Sequence, residues 1–137
     1  MSRTPRATCP DRQSSPLLDV RHLTKDFVRQ RGLWRAPSVI RAVDDVTFTL
    51  CEGEMFGLVG ESGSGKTTLG RCILRLIEPS SGDVLFRGEQ IRQFSASRMR
   101  QTRRDMQIVY QDPYSSLNPR MRAGDIVEEP LRIHKLG

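Results

Sequence analysis

In several short segments of the chain, apolar and polar residues alternate or apolar residues run together. Alternation with a period of two is typical of a half-buried strand, and a short uninterrupted apolar run is typical of a buried one. The first segment alternates only loosely and is predicted to be an edge strand. The predicted strands are residues 17–27, 46–50, 55–59, 84–86 and 106–110.

A helical spacing of apolar residues follows the third of these segments. Leu69, Ile73, Leu76 and Ile77 fall on one face of the helix that this spacing predicts. Pro79 cannot continue a helix and is predicted to end it. A strand, a loop and a helix in this order indicate an α/β fold, and the strands before them indicate a small antiparallel β layer.

Two further helices are predicted in the second half of the chain. Ser95 or Ser97 can cap a basic helix that runs to about Arg104. Asp125 is a good N-cap for a final short helix, and Pro130 must kink or restart that helix.

The loop between the third strand and the first helix carries the strongest chemical signal. Residues 60–67 read Gly-Glu-Ser-Gly-Ser-Gly-Lys-Thr, a complete G-x-x-x-x-G-K-[ST] phosphate-binding loop. Its glycines let backbone N–H groups converge on an anion, Lys66 adds a charge for the β and γ phosphates, and the Thr67 hydroxyl is a Mg²⁺ ligand. The predicted nucleotide-binding residues here are Gly60, Glu61, Ser62, Gly63, Ser64, Gly65, Lys66, Thr67 and Thr68.

Composition places the chain among globular proteins. Its 137 residues correspond to one modest domain, and residues 1–16 are predicted to be a disordered basic tail before a domain at 17–137. The net charge of +6 makes nucleic acid a candidate partner to consider. However, the arginines at 98, 100, 103 and 104 are not interleaved with aromatic residues, so they indicate a solvated helix face and no nucleic acid is expected.

Three segments together resemble an ATP-binding cassette (ABC) domain: Leu-Thr-Lys-Asp-Phe at 23–27, the phosphate loop, and Val-Tyr-Gln-Asp-Pro at 109–113. The segments at 31–35, 42–46, 111–120 and 129–131 are similar to ATP-binding subunits of oligopeptide and dipeptide importers. The resemblance implies a P-loop NTPase core of the RecA-like type with an antiparallel β accessory layer. It also implies ATP and Mg²⁺ as cofactors.

The resemblance assigns roles to residues outside the loop. Phe27 stands where an aromatic ring stacks on adenine, although it can equally be a core residue of the first strand. Gln111 stands at the position that touches Mg²⁺ or the attacking water, so Lys66 and Gln111 become the catalytic candidates, and Thr67 and Gln111 the metal ligands. The implied partners are transmembrane subunits and a second nucleotide-binding subunit, at the cytoplasmic face of the inner membrane.

The chain also departs from the family's pattern. It contains no Leu-Ser-Gly-Gly signature, no Walker B strand ending in Asp-Glu and no downstream switch histidine. We therefore expect it to be the N-terminal portion of a cassette, truncated before those segments. Alone, it should expose apolar strand edges, bind ATP weakly at best and not hydrolyse it.

Other functions remain open at this point. One is a cassette ATPase that acts on nucleic acid in DNA repair or translation, and another is a nucleotide-binding remnant without activity. A small GTPase or a nucleotide kinase is a third, although the Asn-Lys-x-Asp motif of GTPases is missing. The sequence does not separate peptide importers from importers of nickel.

Overall fold

A computed structural model of the chain describes residues 15–29, 37–112 and 117–134. The predicted disordered tail lies almost entirely outside these residues. The basic insertion at 31–35 and residues 113–116 of the importer-like segment lie outside them completely. The chain divides into two compact units, residues 1–94 and 95–137, and each is described separately.

The first unit is built on a four-stranded antiparallel sheet in the order β2-β1-β3-β4. The strands are β1 (Leu18–Arg29), β2 (Ser38–Leu50), β3 (Ser81–Phe86) and β4 (Glu89–Gln90). The predicted antiparallel layer is therefore confirmed. The prediction that the first strand lies at an edge is wrong, because β1 pairs with β2 on one side and with β3 on the other.

The loose alternation in β1 comes from a bulge. The pairing with β2 shifts between Val20 and Leu23, and His22 inside the shift has a φ of 50°. Asp45 on β2 is also in the left-handed region, and its Oδ1 lies 2.7 Å from His22 Nδ1. A Cβ on Gly82 would lie 2.3 Å from the carbonyl oxygen of His22, so β3 needs glycine where it passes the bulge.

The first helix, α1, spans Lys66–Ile73 and buries Leu69 and Cys72. The predicted helix after the phosphate loop is therefore confirmed, but its predicted end near Pro79 is wrong. The chain leaves the helix at Leu74, and Leu76 is exposed. Burial raises the pKa of the Cys72 thiol, mainly through desolvation, as suits an inert packing residue.

The core of the first unit lies between α1 and the sheet. α1 packs against β1 and β2, and a short 3-10 helix, Ile91–Gln93, follows β4. The side chains that are buried completely, or almost so, are Val20, Leu23, Cys72, Val84 and Ile91. Because these side chains come from β1, β3 and both helices, the core fixes α1 on the sheet.

Two of the predicted strands are not strands in the structure. Residues 55–59 and 106–110 have no regular secondary structure and pair with no strand in the described parts of the chain. Their apolar side chains are exposed, with Met55 96% and Val59 95% accessible. The strand predictions for these segments are therefore wrong, whereas the expected exposure of apolar residues agrees with the structure.

The second unit contains two described helices. In α2 (Ala96–Thr102), the Ser95 hydroxyl accepts a hydrogen bond from the N–H of Arg98, which confirms the predicted cap. The last helix, α3 (Ala123–His134), starts before Asp125, so that residue lies in the first turn and the predicted N-cap is wrong. Pro130 is accommodated inside α3.

No helix in the described parts of the chain is long and apolar enough to cross a membrane.

The position of β1 in the middle of the sheet can be tested with two substitutions of one residue type. Val20 is fully buried and Val28, on the same strand, is 65% exposed. We expect Val20→Ala to lower the free energy of unfolding by about 2 kcal/mol, because it removes buried carbons and leaves a cavity. Val28→Ala should change it by about 0.5 kcal/mol or less. Urea denaturation measures both, and equal losses would contradict the assigned core.

Candidate phosphate-binding site

An aromatic stack anchors the segment that leads into the phosphate loop. The rings of Phe48 on β2 and Phe56 are stacked, with centroids 4.8 Å apart and planes 8° from parallel. Just before Phe56, the N–H of Cys51 donates to the Glu54 carboxylate at 2.8 Å, which closes the turn after β2. Residues 55–59 are thus tied to the sheet by a side chain although they are not a strand.

The loop itself depends on glycine at one tight position. Gly65 has a φ of 90°, and a Cβ there would lie 2.0 Å from the carbonyl oxygen of Ala42 on β2. No other residue fits this close approach. Gly63 also has a positive φ, of 81°, and the N–H of Ser64 donates to the carbonyl oxygen of Glu61. The loop is therefore a compact turn pressed against the sheet.

Lys66 folds back over the loop that precedes it. Its Nζ donates to the carbonyl oxygens of Gly60 and Glu61, both at 2.6 Å, and to the Ser64 hydroxyl at 3.2 Å. A positive charge is therefore fixed inside the loop by acceptors of the loop itself. This placement confines the ammonium group to the region where the motif predicts phosphate.

The N-terminus of α1 offers further donors to an anion. Gly65 is the N-cap and supplies no side chain, and the first turn contains no acidic residue. The first N–H groups of a helix lack partners within the helix, and its dipole favours negative charge there. The hydroxyl groups of Thr67 and Thr68 belong to this turn, and Thr67 is exposed. The donors and the glycine-lined turn together fit a phosphate group.

Two predicted site residues lie away from the loop in sequence. Phe27, on β1, is 40% exposed and has Lys25 Nζ 5.1 Å from its ring centroid, so it is not a core residue. Its contact with adenine stays a prediction. Gln111 is exposed in the second unit, and its role also stays a prediction.

No group of three or more His, Cys, Asp or Glu side chains within the described ranges could hold a metal ion.

Sequence reasoning missed the residues that support the loop from outside. Ala42 contributes through its carbonyl oxygen, which no side-chain pattern reveals. The pairing of Phe48 with Phe56 joins two segments that periodicity treats separately. The sequence shows an aromatic residue at each of these positions, but only the folded structure shows that the two rings are in contact.

Known proteins are similar to this chain over most of its length. Over 126 residues it is 46% identical to the glutathione import ATP-binding protein GsiA of Salmonella paratyphi A, covering 91% of this chain and 20% of that protein. It is 49% identical over 121 residues to the oligopeptide transport ATP-binding protein OppF of Bacillus subtilis, with 88% and 38% covered. A putative peptide import ATP-binding protein of Brucella ovis is 46% identical over 123 residues.

A solved structure of an ATP-binding cassette is also similar to this chain. The dimeric structure of a post-hydrolysis state of the ATP-binding cassette MJ0796 bound to ADP and Pi matches with a TM-score of 0.71 at 28% identity. The match covers 88% of this chain and 49% of that one, which confirms the predicted P-loop NTPase fold. The chain spans between a fifth and two fifths of the curated relatives it matches. The ABC transporter family model matches residues 43–135, and the chain accordingly belongs to the ABC transporter family.

Proposed function

We propose that this chain forms the phosphate-binding part of an ATP-driven importer of short peptides. The observation that carries the proposal is the Lys66 ammonium, held 2.6 Å from the carbonyl oxygens of Gly60 and Glu61 in a loop that opens a helix. The names of the relatives support the substrate class, because glutathione is a tripeptide and the others are named for oligopeptides or peptides. Dipeptides and oligopeptides are the proposed substrates.

ATP is the proposed ligand of the loop, because its triphosphate would complement the charge of Lys66 and the N-terminal end of α1. Backbone N–H groups of the loop and of the first turn of α1 would bind the phosphate oxygens, and Lys66 would exchange carbonyl acceptors for phosphate ones. The Thr67 hydroxyl would be a ligand of the accompanying Mg²⁺. Phe27 is proposed to contact adenine, and Gln111 to sense the metal or the attacking water.

The remaining parts of the proposal concern the assembly. We propose that the protein works at the cytoplasmic face of the inner membrane, bound to transmembrane subunits and paired with a second nucleotide-binding subunit. The dimeric cassette structure to which the chain is similar supports the pairing. The 137-residue chain alone is expected to bind ATP weakly and not to hydrolyse it.

Removal of the Lys66 charge tests the ligand. In the native protein, Lys66→Ala should raise the Kd for Mg·ATP about 10- to 100-fold, because a hydrogen bond from a charged donor contributes about 1.5–3 kcal/mol. Arg71→Ala is the matched control, since it removes one positive charge from the exposed last turn of the same helix. Isothermal titration calorimetry gives both constants. Equal effects of the two variants would show that Lys66 acts only through net charge.

The close approach at Gly65 gives a second test of the site. A Cβ at Gly65 would meet the Ala42 carbonyl oxygen, whereas a Cβ at Gly70, inside α1, meets nothing within 4 Å. Gly65→Ala should therefore abolish measurable Mg·ATP binding. Gly70→Ala should keep binding and stabilise the helix by about 1 kcal/mol. Retained ATP affinity in Gly65→Ala would mean that the loop does not need its contact with β2.

The substrate class can be tested by uptake in the native cells. A chromosomal Lys66→Ala substitution should reduce uptake of labelled dipeptides and tripeptides to the level of a strain that lacks the gene. Arg71→Ala cells should take up peptides normally. Normal peptide uptake together with lost nickel uptake in the Lys66→Ala strain would instead assign the protein to the metal importers.

A further inference from the structure

Arg75 has a backbone conformation that normally belongs to glycine. It follows α1 with a φ of 50°, its N–H donates to the carbonyl oxygen of Cys72 at 3.0 Å, and the next N–H, of Leu76, donates to that of Arg71 at 2.8 Å. This pair of bonds is the Schellman motif, in which glycine is favoured at the left-handed position. An arginine there is strained, and such strain persists where the surrounding structure holds it.

The side chain of Arg75 supplies the compensating interactions. Its Nη1 donates to the carbonyl oxygens of Ile91 at 3.0 Å and Phe94 at 2.8 Å, and its Nε pairs with the Glu78 carboxylate at 3.1 Å. The guanidinium group is half-buried, and bonds from a charged planar donor are directional and strong. Arg75 thus joins the end of α1 to residues 91–94, which are the 3-10 helix and its C-cap.

The turn that contains Arg75 is also tied to the sheet. Lys25 Nζ on β1 donates to the carbonyl oxygen of Glu78 at 2.8 Å, and the N–H of Ser80 donates to that of Thr24 at 2.9 Å. The C-terminal end of α1 is therefore connected to β1 on one side and to residues 91–94 on the other. A displacement of α1 must act on both connections.

We propose that Arg75 is a positioning residue that links phosphate binding at the N-terminus of α1 to the backbone at residues 91–94. The inference rests on the proposed function of the loop. α1 has eight residues and is about 12 Å long, so it joins the phosphate loop at its start to the turn of Arg75 at its end. Residues 91–94 are the last residues of the first unit, so the link carries the state of the phosphate loop to the C-terminal end of that unit.

Arg87 provides a matched control for this link. It is also an arginine with a φ of 50°, in the turn between β3 and β4, and its guanidinium carbon lies 5.2 Å from the centroid of the Phe86 ring. Arg75→Gly and Arg87→Gly therefore relieve the same backbone strain and remove the same charge. Only the first removes the bonds to Ile91 and Phe94.

The test is hydrogen exchange of the native protein with and without Mg²⁺ and a non-hydrolysable ATP analogue. The reporter is the Phe94 amide, which donates to the carbonyl oxygen of Ile91, and the reference is the protection of the phosphate loop. In the wild type, the analogue should slow exchange at both places. In Arg75→Gly the nucleotide should still protect the phosphate loop. The nucleotide-dependent slowing of exchange at Phe94 should fall at least about fivefold, because coupling between two sites typically changes an affinity by about fivefold or more. Arg87→Gly should behave as the wild type.

The possible outcomes distinguish three cases: the proposed link, a purely structural role of Arg75, and failure of the proposed function. If Arg75 only stabilises the fold, Arg75→Gly speeds exchange at Phe94 equally with and without nucleotide, and the link is overturned. The link is also overturned if the analogue protects the wild-type loop but leaves Phe94 unchanged. If the analogue protects nothing in the wild type, the proposed function fails and the link fails with it. Arg75→Lys, which keeps the charge but not the planar fork, should restore only part of the nucleotide-dependent slowing.

Discussion

The shape of the candidate phosphate loop depends on the contact between the backbone at Gly65 and the carbonyl oxygen of Ala42. The space between them would leave an added Cβ only 2.0 Å from that oxygen. This approach sets the start of α1 against β2, and the buried side chains of Leu69 and Cys72 then fix the rest of the helix on the sheet. The direction of the helix, and with it the direction of its N-terminal amides, follows from this close approach together with the two buried side chains.

The support for the loop comes from parts of the chain that lie far apart in sequence. Phe48 on β2 stacks on Phe56 before the loop, and β1 holds the turn after α1 through Lys25 and Thr24. The antiparallel sheet is therefore more than an accessory layer. It holds residues 55–59 before the candidate phosphate loop and the turn after α1.

The sequence predicted the local features well and the long-range ones poorly. The helix α1 is predicted correctly because a phosphate-loop motif opens a helix at a fixed position, and Ser95 because a cap is a local signal. Residues 55–59 and 106–110 have the apolar composition of strands, but a strand also requires a paired neighbour, which composition does not supply. The central position of β1 and the bonds from the Arg75 side chain to Ile91 and Phe94 could not be predicted for the same reason, since both involve residues distant in sequence.

The self-contacts of Lys66 have a consequence for the choice of anion. Because the ammonium already has the carbonyl oxygens of Gly60 and Glu61 as acceptors, an arriving anion must exchange those bonds and does not simply add to them. A small anion with one charge recovers little for that exchange. A chain of phosphates can engage the lysine and the helix amides at once, so on the proposed function the loop would favour polyanions over the simple salts of the cell.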